Sequence, residues 1–394
     1  KELSKINIDL HSIVIFRNLF NDKVIKEFIL LLDSENEITL KKVSAYSAFV
    51  SELFKVTDNF SDYILNLILE DENLYMLGKA QNKQLTENIE HCLQMELKVL
   101  QEVASIKSED IKSSMNYDGF LPEWISTAYD FNEIYKDRIA NISSHGYGIF
   151  AKYHTFVIQN GTITPVKTPD PTRLSQLNGY QLERKKVIDN TLALLSGKPA
   201  ANALLYGDAG TGKSSTVKAV ANEFSNMGLR VIEITKKQLR EIPALMDSLS
   251  KNPLKFILFI DDLSFTKDDD DFSALKAILE GSVSAKTSNL VVYATSNRRH
   301  LVKESFSDRD GDDIHFNDTR EELISLSARF GLTITFSKPD KQLYIDIIEN
   351  LAKQYEIHMD LDKLIMQAEA YALRRGGRSP RVAKQFVEYL KTIE

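Results

Sequence analysis

Cysteine is almost missing from this sequence. Cys92 is the only one in 394 residues, which excludes an intrachain disulfide framework and a cysteine-based zinc site and points to the reducing cytoplasm. Long apolar runs are missing too. A stretch such as residues 28–32 (FILLL) falls far short of the roughly 20 residues of a membrane-spanning helix, so no span is expected. No signal peptide is visible, and Lys1 in place of Met leaves room for a start outside this numbering. Positive charge is not in excess. The formal net charge of −7 argues against broad electrostatic binding to nucleic acid and leaves space only for a local basic patch. The histidines are scattered, and no Ser-His-Asp, Cys-His or zinc pattern emerges. Proline is scarce at the start: Pro122 is the only one before residue 143, which suits a helical bundle.

What is present is ordinary for a globular chain with a real core, at 43% hydrophobic and 27% charged residues, and long enough for two or three domains. Four parts are expected. Residues 1–145 read as a mainly helical domain. Ile13, Phe16, Leu19, Phe20, Val24, Phe28, Leu31 and Leu32 recur at helical spacing, as do Phe60, Tyr63, Ile64, Leu67 and Ile68. Leu93 to Val103 and Tyr129 to Ile139 give two more series, and the aromatics read as core. Residues 146–171 read as a β-hairpin and linker. Asn160-Gly161 separates two β-rich runs, Pro165 marks its strand as an edge, and Pro169 to Thr172 form the linker.

Residues 172–337 alternate strands with helices, the pattern of a parallel sheet covered on both faces. FILFI (256–260) and LVVYA (290–294) are apolar throughout and read as central; RVIEI (230–234) and LTITF (332–336) alternate and read as edges. The expectation is an α/β fold with a five-stranded parallel sheet in order 5-1-4-3-2. Residues 338–394 form a helical lid, its last helix opened by Ser379 and Pro380.

The chemistry centres on GDAGTGKSS, residues 207–215: Gly207, Asp208, Ala209, Gly210, Thr211, Gly212, Lys213, Ser214 and Ser215. It fits G-x-x-x-x-G-K-[ST] between a short apolar strand and an amphipathic helix. Glycines let backbone N–H groups turn inward around phosphate oxygens, and the helix points its positive end at them. Lys213 is expected to reach the β- and γ-phosphates of ATP and Ser214 to ligate Mg²⁺.

At the tip of FILFI, Asp261 is expected to hold Mg²⁺, directly or through water. The next residue, usually a Glu that activates the attacking water, is Asp262, one methylene shorter. Either it still reaches the water with some loss of rate, or hydrolysis is slow by design. Asn297, ending ATSN, would orient that water; Arg298 and Arg299 face either a neighbouring subunit or solvent. Arg329, in LSARFGL, is a candidate arginine finger acting in a neighbour's site, which implies an oligomer. Arg381, with Arg378 as the competing choice, would report nucleotide state to the lid. Tyr180 either contacts adenine or packs in the linker. The acidic stretches at 268–271 and 308–313 read as solvated loops.

Together these residues resemble the AAA+ ATPases across about residues 172–394. NALLYGDAGTGKSS, FILFIDDLSF, LKAILEG, ATSNRRHL, LSARFGL and GRSPRVAKQF are similar to a family of bacterial predicted ATPases of unknown function, in which DD also replaces DE. One departure is LSARF where the family pattern is LSDRF; Arg329 is kept. The resemblance implies the fold and the use of ATP with Mg²⁺, and it names no client. Protein unfoldases of this superfamily carry an aromatic-hydrophobic-glycine pore loop after the second strand. TKKQLREIP (235–243) has neither aromatic nor glycine, which disfavours threading of a polypeptide. Lys236, Lys237 and Arg240 there give weak support to an anionic partner such as nucleic acid, against solvated helix charges. The expected function is ATP hydrolysis coupled to remodelling of a partner chosen by residues 1–145. The alternatives are a slow, nucleotide-gated binding switch resembling helicase loaders, and a nucleotide binder that hardly hydrolyses.

Overall fold

The computed structural model describes residues 3–264, 270–281, 288–297, 324 and 327–393. The chain divides into two compact units, residues 1–152 and 153–394.

The first unit is helical. Its longer helices are α1 (Leu3–His11), α2 (Lys23–Asp33), α3 (Thr39–Phe54), α4 (Phe60–Glu70), α5 (Glu87–Ala104) and α6 (Phe131–Ala140). Asp22, Asn59, Thr86 and Asp130 cap α2, α4, α5 and α6 by accepting a first-turn N–H. Phe28, Phe49, Phe60 and Trp124 pack ring on ring in the core, with Phe28 and Phe60 centroids 4.7 Å apart. The periodic series that begins at Ile13 is not one helix. Residues 14–16 instead donate their backbone N–H groups to the buried carboxylate of Glu96, and a 3₁₀ turn follows at Arg17–Asn21 before α2 begins.

The second unit is built on a seven-stranded sheet: β1 (Thr155–Gln159), β2 (Thr162–Pro165), β3 (Ala203–Gly207), β4 (Leu229–Glu233), β5 (Lys255–Ile260), β6 (Leu290–Asn297) and β7 (Leu332–Phe336), in order β2-β1-β4-β5-β6-β3-β7. The five strands from β3 onward follow the expected order 5-1-4-3-2. The expectation of five strands in total is corrected. The hairpin joins the sheet, β1 pairing parallel to β4 and antiparallel to β2. It satisfies the edge of β4 that would otherwise present unpaired N–H and C=O groups. Asn160 and Gly161 both have positive φ, as a two-residue hairpin turn requires. β4 is therefore interior rather than an edge. Arg230, which gave it an alternating look, is buried and donates to the Ser225 and Leu229 carbonyls at 2.8 Å.

Helices α7 (Gln181–Leu195), α8 (Lys213–Glu223), α9 (Ile242–Leu249) and α10 (Asp270–Glu280) lie between strands. A 3₁₀ turn, Lys236–Glu241, precedes α9, because Pro243 lacks an N–H and fits only in a first turn. Three lid helices end the chain: α11 (Lys341–Gln354), α12 (Leu361–Arg374) and α13 (Pro380–Ile393). Their Tyr344, Ile348, Leu364 and Val387 share one apolar cluster with Leu205, Phe259 and Tyr293 of the sheet. No helix among the described residues is long and apolar enough to cross a membrane.

Candidate functional site

Strand register brings the chemistry to one end of the sheet. Gly207 of β3 lies opposite Asn297 on one side and Phe336 on the other, and Ile260 lies opposite Ala294. The carboxyl ends of β3, β5 and β6 thus converge, which is where open α/β sheets bind ligands. A cleft of about 1090 Å³ opens there.

The loop after β3 is fixed before any ligand arrives. Gly207, Gly210 and Gly212 have φ of 138°, 76° and 90°. A Cβ on Gly207 would stand 2.1 Å from the Phe336 carbonyl oxygen, so only glycine fits. Asp208 ties the loop to the last strand: its N–H donates to Phe336 O at 3.0 Å, and its carboxylate accepts from the Lys338 N–H at 2.9 Å. Thr211 donates its hydroxyl back to Asp208 O. The start of the last lid helix holds the loop from above, Arg381 N–H donating to Gly210 O at 3.1 Å. Ser379 caps that helix by accepting from Val382 N–H. Ala209, Gly210, Ser214 and Ser215 line the cleft.

Lys213, the first residue of α8, is only 6% exposed. Its ammonium donates to Asp208 O at 2.6 Å and to Asn297 Oδ1 at 2.9 Å. Burial holds its pKa below the ordinary value and Arg381 adds to the lowering, against the opposing fields of Asp208, Asp262 and Asp261. Asp261 Oδ1 accepts from the Ser214 hydroxyl at 2.5 Å and the Thr295 hydroxyl at 2.6 Å. Thr295 Oγ1 in turn accepts from the Asp262 N–H at 2.9 Å. Asp262 sits in the left-handed region, with φ of 51°, where Asp and Asn are among the residues that tolerate it. Its Oδ1 accepts from Asn297 Nδ2 at 3.0 Å. A hydroxyl and a carboxylate converging in this way suit Mg²⁺, a hard cation that takes one or two carboxylates and completes its shell with water and substrate phosphates. No cluster of three or more His, Cys, Asp or Glu suited to a metal occurs among the described residues.

The structure therefore brings together the phosphate loop, Lys213, Ser214, Asp261, Asp262 and Asn297, and adds Arg381 to the cleft wall. It does not bring Arg378, Tyr180 or Arg329 to that wall. Arg378 grips Glu369 with two nitrogens, the shorter contact at 2.9 Å. The Tyr180 ring packs against Phe336, its hydroxyl donating to Ser337 O at 2.6 Å, so burial in the core takes it from the base. Arg329 pairs with Glu280 at 2.5 Å. Arg298, Arg299 and the acidic stretch at 308–313 lie outside the described residues. Two site residues escaped the reading of the sequence. Thr295 stands inside the ATSN that marked Asn297. Arg184 lines the cleft from α7, the helix that begins at Gln181. Its signal was its spacing to Val187 and Thr191, which puts an arginine on the buried face.

A family model described as "Protein of unknown function (DUF815)" matches residues 150–393. The replication factor C large subunit of Thermofilum pendens is 30% identical over 136 residues, 32% of this chain and 32% of that protein. Among solved structures, the RuvB Holliday junction branch migration motor of Thermotoga maritima aligns with a TM-score of 0.35 at 18% identity, covering 55% of this chain and 63% of that one. A point mutant of the same RuvB gives a TM-score of 0.38 at 18% identity, covering 55% and 64%. The chain thus spans about a third of the curated relative and under two thirds of the solved chains.

Proposed function

The chain belongs to the DUF815 family of proteins of unknown function, and we propose that residues 153–394 are an AAA+ module that binds and hydrolyses ATP with Mg²⁺, coupling the cycle to a partner's conformation. One observation carries this reading: Lys213, Ser214, Asp261, Asp262 and Asn297 meet in one cleft beside the glycine loop, joined by hydrogen bonds. Lys213 would leave Asp208 O and Asn297 for the β- and γ-phosphates. Ser214 and Asp261 would hold Mg²⁺, which would supply positive charge against the phosphates. Asp262 would take the proton of the attacking water, and Asn297 would orient it. Arg381, bonded through its N–H to the loop, would carry nucleotide state into the lid. The apolar Ile347 and Leu351 on the cleft wall offer the base a surface.

Arg329 lies outside its own cleft, which supports a role in a neighbour's site and hence a homo-oligomer. Light scattering with and without ATP tests this, and a monomer under both conditions removes it. Partner choice is assigned to residues 1–145. A DNA titration at two salt concentrations separates a nucleic-acid partner from a protein one.

Equilibrium binding of ATP to the full chain tests the core reading. Lys213→Ala should weaken binding by about tenfold or more, and unchanged affinity counts against it. A second reading, the slow nucleotide-gated switch, is favoured by Asp262 itself: its carboxylate is short and already engaged by Asn297. A turnover slower than partner release supports the switch.

A further inference from the structure

Arg184 stands out among the charges of the cleft. It lies in the first turn of α7, on the face that also buries Val187, Thr191 and Leu194, and it is 7% exposed. Its Nη1 donates to Gly179 O and its Nη2 to Asn178 O, the latter at 3.1 Å. Its Nε is buried without a partner. No carboxylate among the described residues forms an ion pair with it. Taking a guanidinium out of water onto neutral carbonyls alone is unfavourable, and burial pulls its pKa down to about 10. The site is short of negative charge.

The position says what would supply it. Arg184 lines the cleft, and its Nη2 is 3.8 Å from where a Cβ on Gly212 would stand. Gly212 opens α8, whose first N–H groups face the α- and β-phosphates in a loop of this pattern. Arg184 has no bond to Asp261, Asp262 or Asn297, so it lies apart from the hydrolytic cluster. Its carbonyl partners aim the guanidinium and add no charge. Resting on the nucleotide reading above, we infer that Arg184 is a second cation of the nucleotide site, donating to the phosphates that ADP and ATP share. It sets affinity for the nucleotide and leaves the distinction between di- and triphosphate to Lys213 and the acidic cluster. The competing role is structural, with Arg184 fastening the linker carbonyls of Asn178 and Gly179.

The test measures thermal unfolding and the equilibrium binding of ADP and of ATP for the full chain, its Arg184→Met and Arg184→Lys variants, and Lys213→Ala. Arg184→Met should weaken ADP and ATP by the same factor, about tenfold or more, while the unliganded melting temperature holds or rises because an uncompensated charge is gone. Arg184→Lys keeps the charge but not the fork, so it should weaken both nucleotides by a smaller equal factor. This variant decides the matter should Arg184→Met fail to fold. A lowered unliganded melting temperature with wild-type affinity overturns the inference, as does a loss confined to ATP. If the wild-type chain binds neither nucleotide, the nucleotide reading itself falls and takes this inference with it. If wild type binds and only the Arg184 variants match it, the inference alone falls.

Discussion

Asn297 donates from Nδ2 to Asp262 Oδ1 at 3.0 Å. The direction is fixed from the far side of the amide. Lys213 has only donors, so the oxygen of Asn297 must face it, at 2.9 Å, and the nitrogen must face the carboxylate. One side chain thus reads the phosphate-loop lysine and the candidate base together. Replacing it removes the link while leaving the loop, which is held by Phe336, Lys338 and Arg381. Asn297→Ala should lower kcat about tenfold to a hundredfold with ATP affinity little changed, as read by turnover and equilibrium binding. A parallel loss of affinity would mean that Asn297 holds the loop instead.

Asp262→Asn tests the base itself. Asn tolerates the left-handed backbone as Asp does, so the exchange removes the charge and keeps the turn. The melting temperature should stay at the wild-type value while phosphate release drops by about a hundredfold. Hydrolysis at the wild-type rate would exclude Asp262 as the base.

Gly207→Ala should be severe. The new methyl would meet the Phe336 carbonyl at 2.1 Å in a backbone conformation with φ of 138°. The expected loss is about 3 kcal/mol or more of stability, seen in chemical denaturation of the second unit.

In the first unit, Glu96→Leu is expected to cost about 3 kcal/mol. Glu96 is 6% exposed and accepts the backbone N–H groups of Val14, Ile15 and Phe16. Leucine would fill the space and leave those donors unmet. Denaturation of the first unit with an unchanged midpoint would show that water replaces the carboxylate.

A pH dependence follows from His154. Burial, and then the charges of Arg230 and Arg173, hold its imidazole below the ordinary pKa. At neutral pH the ring is uncharged in folded and unfolded chains alike and contributes nothing. As pH falls below about 6.5 the unfolded chain takes up the proton first, so stability falls towards the folded-state value. His154→Gln should therefore narrow the gap between melting temperatures at about pH 7.5 and about pH 5.5; an unchanged gap would exclude this histidine as its source.

Legibility in the sequence followed the range of each interaction. The phosphate loop, the strand before it and the helix after it are local, all within residues 203–223. FILFI and LVVYA announced central strands because both faces are buried. What pairs across distance was not readable. The hairpin at 155–165 joins β4, which lies more than sixty residues on, and nothing in either segment names the other. Arg230 and Arg184 are buried on carbonyls within six residues of them, and a charged residue type hid what the spacing of Arg184 to Val187 and Thr191 carried. For Tyr180 the sequence leaves open adenine or packing in the linker; Phe336 and Ser337, more than 150 residues on, draw it inward.

The central claim is ATP hydrolysis in the cleft at the end of β3. Steady-state phosphate release from ATP, by the wild-type chain and by Lys213→Ala, each with and without Mg²⁺, tests it most directly. The account predicts Mg²⁺-dependent release by the wild type that falls about tenfold or more in the variant. Release equal in the two proteins would contradict it.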